Sequence, residues 1–225
     1  MPLTIAIDGP VGAGKSTISD IVAKRLGILH LDTGAMYRAV GLYMLENGVD
    51  IQDDQAVSKL CEEGKVPVDV RYENGRQQTL LDGRDVSAFI RAQEVGGAAS
   101  AVSRYPAVRK MLVRRQQELA RETPMLLDGR DIGTVVLKDA TVKIFLTASP
   151  ESRARRRMLQ LREKGDETPF EEILKEVNAR DQQDTHRAAD PLRQAPDAVL
   201  VDSSDLSFDE TVDAILSIVE AKYEH

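Results

Sequence analysis

The sequence predicts an α/β fold built on a five-stranded parallel sheet with helices on both faces, interrupted by an inserted subdomain. Three observations lead there. Short apolar runs alternate with helical repeats along the chain, the arrangement of strands buried on both faces. A glycine-rich run lies between the first of these strands and the helix after it. One segment departs from the alternation and reads as an antiparallel hairpin, which no parallel crossover contains.

The elements follow in order. Leu3-Thr4-Ile5-Ala6-Ile7 is an apolar run ending at Asp8-Gly9 and reads as a buried strand. After the glycines, Ile18, Ile21, Val22 and Leu26 recur at helical spacing, and Gly27 ends that helix. Ile28–Leu31, Met125–Leu127, Val142–Leu146 and Ala198–Val201 supply four more strands. Between the second and third, Val66, Val68 and Val70 alternate with polar residues. Asn74-Gly75 and the run 77–81 then complete the hairpin. Residues 32–100 are accordingly the inserted, substrate-side subdomain. Ser149-Pro150 offers an N-cap followed by proline at the first helical position. Thr168–Glu171 and Ser207–Glu210 read as capping boxes, and Pro191 is expected to stop the helix that begins near Pro169. The last helix should bury Val212, Ile215, Leu216 and Val219.

Composition excludes several roles. A chain of 225 residues, 42% hydrophobic and 30% charged, suggests one soluble domain with insertions. A net charge of −7 argues against a general nucleic-acid binder. Against this acidic background Arg153, Arg155, Arg156, Arg157 and Arg162 fall in one short stretch, a local site for a small anion. The single Cys61 forms no internal disulfide. The N-terminus shows no secretory pattern, and no run of about 18 apolar residues exists. The expectation is a cytoplasmic protein without membrane or nucleic-acid partners. It is expected to be a monomer, since moving substrate subdomains need room.

The strongest chemical signal is Gly9-Pro10-Val11-Gly12-Ala13-Gly14-Lys15-Ser16, which matches G-x-x-x-x-G-K-[ST] between a strand and a helix. Backbone N–H groups converge there and the helix N-terminus adds partial positive charge. Lys15, expected on a solvent-facing loop, would reach the β- and γ-phosphates of ATP, and Ser16 would bind Mg²⁺. No Asn-Lys-x-Asp guanine-reading segment occurs, so a small-molecule kinase is favoured over a GTPase. Asp128-Gly129-Arg130-Asp131 follows the third strand, and Asp32-Thr33-Gly34-Ala35-Met36-Tyr37-Arg38 follows the second. Both are expected at the carboxyl ends of strands, where open α/β sheets bind ligands. Asp128 is placed to hold Mg²⁺ through water, and Arg38 to clamp a phosphate. Arg180, Asp184 and Arg187 are spaced to share one helix face.

Gly12–Thr17, Asp32–Arg38, Asp128–Val136 and Arg156–Leu161 together resemble the bacterial cytidylate kinases, from Ile5 to about Asp202. The resemblance implies a P-loop nucleoside monophosphate kinase fold and ATP-dependent phosphorylation of CMP and dCMP, with Mg²⁺, in pyrimidine metabolism. It implies a single kinase domain over 1–225, with its core at 1–31, 101–149 and 167–225. The CMP-binding subdomain spans about 32–100 and a short helical lid about 150–166. Residues 9–17, including Thr17, would hold ATP, with Ser16 and Asp128 on the metal. Arg38, Arg130 and Arg187 would clamp the CMP phosphate. Ser100, Arg109 and Asp131 would read cytosine, Arg180 and Asp184 would hold the ribose, and Thr33 belongs to the substrate site. Lys15, Arg130, Arg153 and Arg157 would act on the transferring phosphoryl group. The chemistry fits cytosine: a carboxylate accepts from its exocyclic amine while arginine donates to N3 and O2, whereas uracil turns a carbonyl toward Asp131. The alternatives are another small P-loop kinase, acting for example on shikimate or dephospho-coenzyme A, and a regulatory nucleotide-binding module without turnover. The hairpin and Asp-Gly-Arg-Asp weigh against the first. Intact Lys15, Ser16, Asp128 and the lid arginines weigh against the second.

Overall fold

A computed structural model describes residues 2–223. Among the described residues eight strands form: β1 (Thr4–Asp8), β2 (Leu29–Asp32), β3 (Val68–Glu73), β4 (Arg76–Leu81), β5 (Arg84–Asp85), β6 (Met125–Gly129), β7 (Val142–Thr147) and β8 (Val199–Asp202). The helices are α1 (Lys15–Leu26), α2 (Thr33–Glu46), α3 (Asp54–Glu62), α4 (Gln93–Val102), α5 (Pro106–Glu122), α6 (Pro150–Arg162), α7 (Phe170–His186) and α8 (Phe208–Tyr223). A five-stranded sheet has the order β2-β6-β1-β7-β8. β1 runs parallel to β7, pairing Ile5 with Val142, and β7 runs parallel to β8, pairing Ile144 with Val199. The chain divides into two compact units, one of Leu29–Met125 and one joining Leu3–Ile28 to the chain from Leu126 onward.

In the second unit Ile5, Ile7, Leu126, Ile144 and Leu146 come from the strands. They pack with Ile18 and Val22 of α1 and with Val212, Ile215 and Val219 of α8. The apolar runs and the 3.6-residue repeats of the sequence thus meet in one core. Leu216 packs against that core while staying partly exposed. A separate small cluster joins Ala154 of α6 to Ile173 and Val177 of α7, flanked by Met158, Leu161, Phe170 and Leu174.

In the first unit β3 and β4 pair antiparallel from Val68–Leu81 to Glu73–Arg76. Asn74 and Gly75 between them both have positive φ, 52° and 75°, the mirror-image turn that matches strand twist. The sequence reading missed β5, whose two residues extend this sheet beyond Asp82-Gly83; a two-residue strand is too short to show periodicity. Ala35, Ala39 and Leu42 of α2 pack with Leu81, Val86, Ile90 and Val95.

The caps follow the sequence in part. Ser149 Oγ accepts from the Ser152 N–H at 3.1 Å, with Pro150 opening α6. Ser207 and Glu210 form a reciprocal capping box. The one expected at Thr168 does not form: its N–H and hydroxyl both donate to Asp166, at 2.9 and 2.6 Å. Thr168 is thereby held in an Asx turn outside the helix, and α7 begins after Pro169 with no side-chain cap. Nor does Pro191 end α7. The chain turns extended at Arg187 (φ −62°, ψ 143°), where the Arg187 guanidinium folds back onto the Asp190 carbonyl. Arg187 therefore lies past the helix and does not share a helix face with Arg180 and Asp184.

Candidate active site

The phosphate loop is set by backbone geometry. Gly9, Gly12 and Gly14 all have positive φ, and a Cβ on Gly9 would lie 1.9 Å from the Leu146 carbonyl oxygen. No other residue fits there. Gly14 is the left-handed residue from which α1 starts, so the free N–H groups of the first turn point into the loop. Lys15 corrects the sequence reading: it is 6% exposed, and its Nζ donates to the Pro10 carbonyl at 2.8 Å. The ammonium folds back across the loop that it serves. Burial pulls its pKa down to about 7; Arg130 pushes the same way, and Asp128, Asp184 and Asp8 pull it back up. A phosphate anion would add countercharge against burial and the neighbouring Arg130.

Ser16 Oγ donates to Asp128 Oδ2 at 2.9 Å, which joins the loop to the end of β6. A hydroxyl and a carboxylate side by side are hard oxygen donors of the kind Mg²⁺ takes together with phosphates and water. Among the described residues, no group of three or more His, Cys, Asp or Glu side chains could hold a metal ion by itself. A metal here would therefore draw most of its ligands from nucleotide and solvent.

Beyond Asp128 the chain carries Arg130 and Asp131. Arg130 Nε donates to Asp184 Oδ2 at 2.8 Å, and Arg187 Nη2 donates to Asp131 Oδ1 at 3.3 Å. Burial pushes Asp184 toward its neutral form, but Arg130, by charge and hydrogen bond, and then Arg180 and Arg187 hold its carboxyl below the ordinary carboxylate range. The second unit thus brings Lys15, Ser16, Asp128, Arg130, Asp131, Arg180, Asp184 and Arg187 into one network of opposite charges.

The arginines of α6 divide. Arg153 is 3% exposed. It donates to the carbonyls of Ala148 (2.8 Å) and Val11 (2.9 Å), and through both terminal nitrogens to the Asp181 carboxylate. Arg156 binds Ser203. Arg155 and Arg157 are exposed.

The first unit holds Thr33, Arg38, Ser100 and Arg109. Thr33 is buried at the first position of α2, where Asp32 caps the helix by accepting from the Ala35 N–H at 3.1 Å. Arg38 is exposed on α2, and its Nη1 reaches the Ile90 carbonyl at 3.4 Å. Arg109, 2% exposed on α5, lies over the Tyr37 ring at 5.6 Å and donates to the Ser103 carbonyl at 3.4 Å. Ser100 is half-buried on α4, and its carbonyl accepts from the Ser103 hydroxyl. The hairpin also contributes: Gln77 accepts from the Asp32 N–H at 2.7 Å and donates to the Asp32 carbonyl at 3.2 Å.

The cytidylate kinase family model matches residues 5–221. The chain belongs to the cytidylate kinase family. A cytidylate kinase of Caldicellulosiruptor bescii is 47% identical over 96% of this chain and 95% of that protein. One of Thermosipho melanesiensis is 47% identical over 99% of both. Among solved structures, a gluconokinase from Sinorhizobium meliloti superposes with a TM-score of 0.52 at 14% identity, covering 99% of this chain and 94% of that one. At that identity the likeness speaks for the fold. The family assignment makes the chain a phosphotransferase and disfavours the non-catalytic reading.

Within this family frame three residues went unassigned in the sequence. Tyr37 stands in the Asp32–Arg38 motif, yet only the fold shows its ring under Arg109. Asp181 carries no motif; Arg153 marks it only in three dimensions. Asp8 closes a mostly apolar strand directly before the glycines, and that position was its signal. It is buried and accepts the N–H groups of Ile132 and Gly133, each at 2.7 Å. Burial pushes its pKa up to about 6 against the pull of those two N–H groups; Asp131 adds to the rise and Lys15 opposes it.

Proposed function

We propose that this protein transfers the γ-phosphoryl group of ATP to CMP and dCMP, giving CDP and dCDP. One observation carries the reading: Lys15 and Ser16 of the phosphate loop are joined through Asp128 to a chain segment that presents Arg130 and Asp131. The donor-phosphate residues and the residues proposed to recognise the pyrimidine would thus be linked across the ends of β1 and β6.

The acceptor phosphate is largely dianionic at neutral pH, because its second pKa is about 6, so no protein base is required. The residues have to hold two polyanions together and meet the charge of the transferring group. Gly9–Thr17 would cradle the ATP phosphates with backbone N–H groups, and Lys15 would turn from Pro10 toward the β- and γ-oxygens. Mg²⁺ held at Ser16 and Asp128 would offset charge on those phosphates. Arg38, Arg130 and Arg187 would clamp the CMP phosphate, Arg180 and Asp184 would hold the ribose, and Thr33 would line the acceptor site. Ser100, Arg109 and Asp131 would read cytosine. Of the lid arginines, Arg157 is exposed and able to swing to the phosphates. Arg153 would support them from its bond to the Val11 carbonyl. Residues 150–166 would form the lid and about 32–100 the CMP subdomain of a single kinase domain. We place the protein in pyrimidine nucleotide metabolism as a cytoplasmic monomer. Among the described residues no helix is long and apolar enough to cross a membrane, and the net charge of −7 argues against nucleic-acid partners.

A coupled assay of ADP release tests this across a panel of nucleoside monophosphates, with shikimate and dephospho-coenzyme A as controls. The expected outcome is turnover with CMP and dCMP far above the rest. ADP release with shikimate but not CMP would overturn the proposal, and no turnover with any acceptor would point to a regulatory module.

A further inference from the structure

Asp8 is a buried carboxylate outside the roles assigned so far. It ends β1, the strand that runs directly into the phosphate loop. Its two oxygens accept the backbone N–H groups of Ile132 and Gly133, 2.7 Å each. Those residues open a short π-helical turn, Ile132–Val136, directly after Asp131. Asp131 itself has an irregular backbone (φ −147°, ψ 27°), outside the strand and helix wells, so its own conformational preference does not hold its side chain in place. Behind the turn space is closed: a Cβ on Gly133 would meet Lys143 Cδ at 3.2 Å and Asp8 Oδ2 at 3.3 Å.

We infer that Asp8 is a positioning residue for the acceptor nucleotide, fixing the main chain at Ile132 and Gly133 so that Arg130 and Asp131 are held toward CMP. Only a carboxylate suits this post. Both partners are N–H donors, and a carboxylate offers two acceptor oxygens with no donor, whereas an amide turns an NH₂ against one of them. Charge-assisted bonds of this kind are about twice as strong as neutral ones. Burial and the neighbouring Asp131 charge both work against ionised Asp8. A carboxylate kept in so unfavourable a place points to a requirement for its two bonds.

The inference rests on the proposed reading of Asp131 as the cytosine reader, and the test separates the two. Full-length parent, Asp8→Asn, Gly133→Ala and Asp131→Asn are compared. kcat and KM for CMP and for UMP are measured at saturating MgATP, and MgATP affinity is measured by titration without acceptor. Asp8→Asn should lower kcat/KM for CMP about tenfold, mostly through KM, the size of one charge-assisted bond. It should lower the CMP:UMP ratio in the same direction as Asp131→Asn, while MgATP affinity stays within about twofold of the parent. Gly133→Ala should reproduce that pattern from the other end of the bond, and it carries the test alone if Asp8→Asn does not fold. An unchanged CMP:UMP ratio in both variants, with the ratio altered in Asp131→Asn, overturns the inference and leaves the base reading standing. A larger loss of MgATP than of CMP affinity also overturns it, since Asp8 would then act through the phosphate loop. An unchanged ratio in Asp131→Asn removes the base reading and the inference with it.

Discussion

Asp181→Ala isolates what the buried guanidinium of Arg153 contributes. Arg153 is 3% exposed, and its charge is balanced by Asp181, whose side chain is 25% exposed. Truncating Asp181 leaves that charge inside with only the carbonyls of Ala148 and Val11 as acceptors. Breaking a fully buried pair from one side costs about 3–5 kcal/mol. The open quarter of Asp181 admits screening, and the two carbonyls remain, so the expectation falls to about 2–3 kcal/mol. In a chain of this length that lowers Tm by roughly 4–12 °C. Urea unfolding should show the lower midpoint at an unchanged m-value. Arg153→Met should cost less, because it leaves no buried charge, and the double variant should match Arg153→Met rather than the sum of the two. Val11 lies in the phosphate loop, so KM for MgATP should rise in Asp181→Ala by more than KM for CMP. A loss below about 0.5 kcal/mol, or strict additivity in the double variant, would refute the reasoning.

Further outcomes follow from the same contacts. Lys15→Met should lower kcat by about a hundredfold to a thousandfold without lowering Tm, because it removes a charge that burial and Arg130 both disfavour; steady-state rates beside a melting curve check both halves. Asp131→Asn should lower the CMP:UMP ratio of kcat/KM by about tenfold to a hundredfold, the value of a charge-assisted bond to the cytosine amine; equal losses on the two substrates would instead assign Asp131 to holding Arg187. Arg187→Ala should raise KM for CMP and lower kcat together, and titration calorimetry matching the parent would remove it from the clamp. Asp8 also sets a pH dependence of stability: its pKa rises on folding from 3.8 to about 6, so its favourable contribution is complete below the lower value and is lost as pH rises through the upper one. That loss amounts to up to about 3 kcal/mol. Urea midpoints measured at about pH 4 and about pH 7 should therefore differ less in Asp8→Asn than in the parent.

Local signals in the sequence determined the sheet, the hairpin and the phosphate loop. Apolar runs of four or five residues mark strands, Asn-Gly selects a turn with positive φ, and glycines at positions 9, 12 and 14 announce a loop built on positive φ. The residues proposed for the acceptor side, Arg130 and Asp131, were legible as part of a motif because they directly follow β6, with Asp128 among its last residues, which places them at its carboxyl end. Pairing was not legible. That Arg130 meets Asp184, Arg187 meets Asp131 and Arg153 meets Asp181 depends on side chains 28 to 56 residues apart, and an arginine beside an arginine in sequence gives no hint which will be buried. The cap at Thr168 and the end of α7 were misread for a similar reason: each turned on competing hydrogen bonds, from Thr168 to Asp166 or from Arg187 to the Asp190 carbonyl, that the motif alone does not reveal. Local propensity determines where elements form, because it acts within a few residues. Which charges are buried, and against what, was decided only by tertiary structure, because desolvation and partner geometry exist only once distant segments are packed together.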